Sequence, residues 1–343
     1  MPNVSTPNTF LPRGRGLLAG AAAAALAGGA LAGCAAITPN PMPRYARARP
    51  PVVAVEQRDT VEGADLVSTV RLRAADGAVV DLLVKRPAPP ESPGALGGPA
   101  PEPRRPLVLI LGGHQRGREA ARLIPESRGY AVVALSYPYA PADKRLSPLR
   151  LLREAPAIKR AAFATPTAIQ LALDWLLAQP WADTARVEGV GASLGAPFMT
   201  VAAAHDRRIT RLWLVHAAGL HYRQLSHNTR ALIRPKPVRA VAKQAVYTYM
   251  AGRRFSPDVW VGRVAPRPVV MLNALDDERL PREAILALHD SARAPKEVVW
   301  LPGKHVQGNR PEVVRALVAA VLARMERPAA TSAGPDGGRP AGR

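Results

Sequence analysis

From residue 107 onward the chain repeats one pattern. A largely apolar run of strand length is followed by a segment long enough for a helix, and then by another run. The runs cover residues 107–111, 130–137, 186–191, 211–215, 268–272 and 297–301. Apolar runs without alternation belong to strands covered on both faces. Parallel neighbours need crossovers of about a dozen residues or more, usually helical. The connecting segments supply these, with helices predicted over 166–178, from Ala196 onward, over 282–292 and over 311–325. Ahead of them, residues 64–87 alternate about Asp76-Gly77, a hairpin signal. The pattern predicts a doubly wound α/β sheet, mostly parallel and led by two antiparallel strands. At 343 residues and 48% hydrophobic, the chain can bury a core of that size.

The first 33 residues read differently. Arg13 and Arg15 precede a small-residue apolar run over 17–31, too short for a confident bilayer span and right for an export signal. The run ends in Leu31-Ala32-Gly33-Cys34, which resembles the bacterial lipobox, where cleavage precedes a cysteine that is then lipidated. Cys34 is the single cysteine, so a disulfide framework and a Cys-based zinc site are excluded. The bland alternative is a buried Cys in an Ala-rich helix. Residues 34–63 are expected to form a Pro/Arg-rich tether, 64–326 the folded domain and 327–343 a low-complexity tail. The expected location is the cell envelope, lipid-anchored on the periplasmic side. Ala35 after the cysteine favours the outer membrane.

The net charge of +21 invites a nucleic-acid reading. Yet the basic excess is almost all Arg in an Ala- and Pro-rich chain, as GC-rich coding produces, and no nucleic-acid-binding motif is present. No nucleic-acid partner is expected. Eight basic and no acidic residues fall within 221–254, an insertion expected to cap the sheet, with Val238, Val241, Ala242, Ala245 and Tyr249 as one helical stripe. This segment is read either as a surface that steers anionic substrates or meets membrane phosphates, or as a solvated basic face.

The sequence Gly191-Ala192-Ser193-Leu194-Gly195 stands between a predicted strand and an apolar helix. A serine hydroxyl is a poor nucleophile unless it is exposed beside a base. A sharp strand-to-helix turn lifts it out of the sheet, and glycines on either side leave room. A capping serine at a small-residue helix entry is the competing reading. Two further candidates follow later strands: Asp276-Asp277 after 268–272 and His305 after 297–301. Each lies at the carboxyl end of a predicted parallel strand, where such sheets place their sites. His205 and His289 read as packing positions, and His216 as a residue that could line a pocket. No pair has metal-ligand spacing and no loop resembles a phosphate cradle, so no metal and no cofactor is expected.

With Arg128-Gly129-Tyr130-Ala131-Val132-Val133-Ala134 and Val264-Ala265-Pro266-Arg267-Pro268, these motifs resemble the α/β-hydrolases, nearest the dienelactone-hydrolase-like and acyl-esterase or thioesterase branches. The resemblance implies a serine hydrolase that cleaves carboxylic esters or thioesters through an acyl-enzyme, with Ser193 as nucleophile, His305 as base and Asp277 as acid. Asp277 rather than Asp276 has the family's spacing to a proline, here Pro281. It further implies an oxyanion held by the backbone N–H of Leu194 and of His114, in a Gly112-Gly113-His114-Gln115 loop that has glycine where the family has histidine. Gln115 is the other candidate. The implied partner is a small acyl ester, with oxygen esters favoured by export. A noncatalytic lipoprotein using the fold as a binding module, and a lipase or peptidase of the same fold, are the alternatives.

Overall fold

A computed structural model describes residues 42–89, 102–113, 116–139, 148–231 and 233–326. The signal segment, Cys34, the oxyanion candidates His114 and Gln115, and the tail lie outside them.

Among the described residues nine strands form one sheet: β1 (Val52–Glu62), β2 (Asp65–Ala74), β3 (Val79–Pro87), β4 (Arg105–Leu111), β5 (Ala131–Leu135), β6 (Ala182–Ala192), β7 (Arg211–Val215), β8 (Val269–Ala274) and β9 (Lys296–Leu301). Their spatial order is β1-β2-β3-β5-β4-β6-β7-β8-β9. The first three are antiparallel and β3 pairs antiparallel with β5, while β5 through β9 run parallel. The six parallel strands are those of the six apolar runs. Their residues divide by period two between two cores. Leu107, Leu109 and Leu111 face helices α1 (Pro148–Leu176) and α2 (Gly195–His205), and Val108 and Ile110 face α6 (Pro311–Met325). Because both faces are covered, no alternation survives in the sequence.

Two expectations need correction. The tether does not extend to residue 63, because β1 pairs with β2 from Val52 to Glu62 at the sheet edge. All its residues except Val52 are exposed, so backbone pairing holds it and no apolar pattern announces it. Upstream of β1, Tyr45 is buried in a 3₁₀ turn, donates its hydroxyl to the Phe163 carbonyl at 2.7 Å and accepts Gln170 Nε2 at its own carbonyl at 2.9 Å. Arg49 forms a two-toothed ion pair with Asp174. The second correction concerns α1, which starts at Pro148 and runs through Pro156 and Pro166 instead of beginning at Pro166. Proline fits a first helical turn best, so Pro166 reads as a start. Burial of Ile169, Leu171, Leu173 and Leu176 holds the helix together despite the missing N–H groups. The link between β4 and β5, for which no helix is predicted, carries a 3₁₀ segment, Gly117–Leu123.

The insertion over 221–254 contains α3 (His221–Asn228) and α4 (Lys236–Tyr249). Of the anticipated stripe Ala245 is buried, Val238, Ala242 and Tyr249 are half-buried, and Val241 is exposed. One further helix, α5 (Arg282–Ser291), links β8 and β9.

Candidate active site

Ser193 joins β6 to α2 with φ of 51°, a left-handed backbone that side chains other than glycine seldom adopt. Its amide donates to the Val215 carbonyl at 2.9 Å, and its carbonyl accepts Ala196 N at 3.1 Å. The strained turn costs roughly 1–3 kcal/mol, which the surrounding packing must offset. It also requires its glycines. A Cβ on Gly191 would stand 2.8 Å from Ala196 Cα, and one on Gly195 would run into the Leu111 carbonyl. The turn holds the serine hydroxyl above the carboxyl end of the sheet. Leu194 is the N-cap of α2, among the helix-entry N–H groups that lack intrahelical acceptors.

Asp277 follows β8 and His305 follows β9, and the two strands pair in parallel from Val269–Lys296 to Ala274–Leu301. Their loops therefore emerge side by side. Ser193 Oγ lies 2.7 Å from His305 Nε2, and His305 Nδ1 lies 2.8 Å from Asp277 Oδ2. The carboxylate can only accept, so Nδ1–H donates to it, and Nε2 is left to accept the serine proton. The side chains of both His305 and Asp277 are 2% exposed, so their pair is shielded from water. Asp277 Oδ1 accepts the backbone N–H groups of Arg279 and Leu280, each at 2.9 Å. Burial works to raise the Asp277 pKa. The His305 bond and charge and the two amides outweigh it and hold the carboxyl below its ordinary range. Asp276 is exposed and joins this site only through the bond from its backbone N–H to the Gly303 carbonyl.

Two partners, Glu278 and Arg310, escape a reading of the sequence, and a third, His216, is read there only as a residue that could line a pocket. Glu278 accepts His305 N at 3.0 Å and Arg310 Nη1 at 2.7 Å, and Arg310 also donates to the His305 carbonyl at 2.8 Å. These two residues clamp the histidine loop from outside. His216, buried after β7, accepts Val306 N at its Nδ1 at 2.8 Å, and its ring centroid is 5.5 Å from that of His305. A charged residue beside an established candidate is the available signal for Glu278, whose neighbour is Asp277. For His216 the signal is its place just after a predicted strand, which points to the pocket but not to its bond with Val306; Arg310 offers none, because only folding brings it to the loop.

Ligand atoms of His216, Asp277 and His305 lie within 4.8 Å of one another, the one cluster of potential metal ligands among the described residues. Their facing atoms are already engaged. Both His305 nitrogens and His216 Nδ1 take part in the bonds above, so a metal would have to displace the serine contact. His205 and His289 are packing positions: His205 bonds to the Val201 carbonyl and His289 to Asn273.

Ser193 and His305 line a cleft of about 1320 Å³. Its outer part runs beneath the insertion, past His221, Gln224, Met250 and Phe255. Its inner part follows the sheet under α6.

No protein-family model matches the chain, and no curated protein matches it in sequence. Solved structures do resemble it. The acetyl xylan esterase from Paenibacillus sp. R4 superposes with a TM-score of 0.56 at 16% identity, over 81% of this chain and 92% of that one. Acetyl xylan esterase 1 from Thermoanaerobacterium sp. JW/SL YS485 gives 0.53 at 14% identity, over 82% and 94%. A puromycin-hydrolyzing peptidase of Mycobacterium tuberculosis gives 0.51 at 18%, over 78% of this chain and 47% of that one. Likeness at such low identity concerns architecture, and the architecture is the α/β-hydrolase fold.

Proposed function

On that fold, we propose that the chain is a serine hydrolase that cleaves carboxylic esters through an acyl-enzyme and is held at the bacterial envelope by lipid on Cys34. One observation carries the catalytic part: the unbroken hydrogen-bond path from Ser193 Oγ through His305 to Asp277, mounted on a left-handed strand-to-helix turn. The esterase names among the structural neighbours support the choice of ester.

Ser193 Oγ attacks the acyl carbon while its proton passes to His305 Nε2. Asp277 stays ionised, fixes the tautomer and stabilises the imidazolium. The developing oxyanion meets the Leu194 N–H at the entry to α2, with a second donor from the loop after β4, where His114 and Gln115 are the candidates. Each such donor is worth about 3 kcal/mol in the transition state. His305 then hands its proton to the departing alcohol. A water, deprotonated by the same nitrogen, then attacks the acyl carbon; the acyl–Oγ bond breaks, His305 returns the proton to Ser193 Oγ, and the acid is released.

A fluorophosphonate probe should label the wild type and fail on Ser193→Ala. With 4-nitrophenyl acetate, Asp277→Asn should lower kcat by about 10⁴-fold, because the histidine then adopts the wrong tautomer. Asp276→Asn should change it less than about threefold, as exposed substitutions usually do. Absence of labelling in the folded wild type would overturn the hydrolase reading, and a reversed aspartate result would move the acid by one residue.

A further inference from the structure

The inner part of the cleft reaches under α6, along the apolar face of the sheet. On the face of the sheet towards α1 and α2, Leu107, Leu109 and Val187 are completely covered, whereas Val108, Ile110 and Val190, on the other face of the same strands, keep 5%, 8% and 7% of their surface. That surface opens into the space beneath α6. The walls are Ile110, Val132 and Val190 from the sheet and Leu317, Val321 and Met325 from the helix, all apolar. Between Val314 and Met325 α6 covers about 16 Å of this space at 1.5 Å per residue. The whole cleft exceeds the roughly 300–1,000 Å³ of an ordinary small-molecule site.

The neck between this space and the nucleophile is lined by Gly112, Gly113 and Ala192, which have little or no side chain to close it. Its position relative to β6 selects which half of an ester enters. Asp277 and His305 reach Ser193 from β8 and β9, on one side of β6. The space beneath α6 lies under β4 and β5, on the other side, next to the loop that follows β4. An alcohol leaving with the His305 proton must lie beside Nε2, so the acyl chain points the opposite way.

Resting on the hydrolase reading above, we propose that the space beneath α6 is a channel for a long unbranched acyl chain, the acid half of an ester held at Ser193. Acetyl would leave it empty.

The test uses two ester series below their aggregation concentrations: 4-nitrophenyl esters from acetate to dodecanoate, and alkyl acetates with the same chains on the alcohol. In the first, kcat/KM should climb by up to about fourfold per methylene until the channel is filled. In the second it should stay nearly flat. Val321→Trp, which fills the channel from a half-buried helix position, should lower the dodecanoate-to-acetate ratio at least about tenfold, equivalent to excluding two or more methylenes. Val318→Trp, one turn nearer the site, provides the same test should the first variant not fold. Acetate turned over with no gain along the acyl series overturns the channel and leaves the serine hydrolase standing. A gain confined to the alkyl acetates overturns the assignment to the acid half. Failure to turn over any ester overturns both readings together.

Discussion

His216 stands where a second positive charge would oppose the one that the proposed mechanism places on His305. Burial, reinforced by the charge of His305 and only partly opposed by Asp277 and Glu278, pushes its pKa down to about 4. The Val306 N–H bonded to Nδ1 likewise requires a neutral ring. His216 therefore stays uncharged while His305 cycles, and its proton affinity couples to stability. The unfolded chain takes up this proton near pH 6.5 and the folded one only near pH 4. Stability from this residue is complete above about 6.5 and is lost as pH falls from there to 4, by up to about 3 kcal/mol. Urea unfolding at pH 7 and pH 4.5 should show a smaller acid loss in His216→Gln, whose amide oxygen can still accept from Val306, than in the wild type. An equal loss in both would assign the acid sensitivity elsewhere, with Glu278, held down to about 2, contributing below pH 4.5. At this scale the three side chains that meet at Ser193 could be named from the sequence, because the proposed nucleophile chemistry asks for given residue types at strand ends. The bonds that steady them could not: Val306 and His216 are 90 positions apart, Arg310 and Glu278 32 apart, and no local pattern records either pairing.

The elements divide the same way. Six parallel strands were legible because burial on both faces forces a largely apolar run. β1 escaped because an edge strand held mainly by backbone bonds can have any exposed side chains. Tyr45, in a stretch rich in proline and arginine, escaped for a related reason: a single buried ring makes no periodicity. Its removal should nevertheless be felt far from the N-terminus. Tyr45→Phe leaves the Phe163 carbonyl without this donor and should cost about 1 kcal/mol. Tyr45→Ala also empties a buried aromatic site and should cost about 3–5 kcal/mol in urea unfolding. If Tyr45→Ala costs less than Tyr45→Phe, the turn does not dock in solution. The length of α1 was hidden by its own prolines, since tertiary burial overrode a local stop signal.

At the scale of the molecule, lipid on Cys34 is the proposal that decides where the fold works. Cys34→Ala should shift the protein from the membrane to the soluble fraction, or leave it unprocessed, while fluorophosphonate labelling of Ser193 persists. Normal processing with unchanged membrane retention would remove the lipid anchor from the account. The Tyr45 turn gives this anchor a dimension. Tyr45 stands eleven positions after Cys34, and a chain spans at most about 3.6 Å per residue, so the docked domain could stray no farther than about 40 Å from the bilayer surface. A flexible leader reaching to residue 63 would allow more than twice that radius. The clamp would thus make the enzyme a patroller of a thin shell, where a short leash keeps the effective concentration of membrane-borne esters high and leaves those beyond its radius to other catalysts.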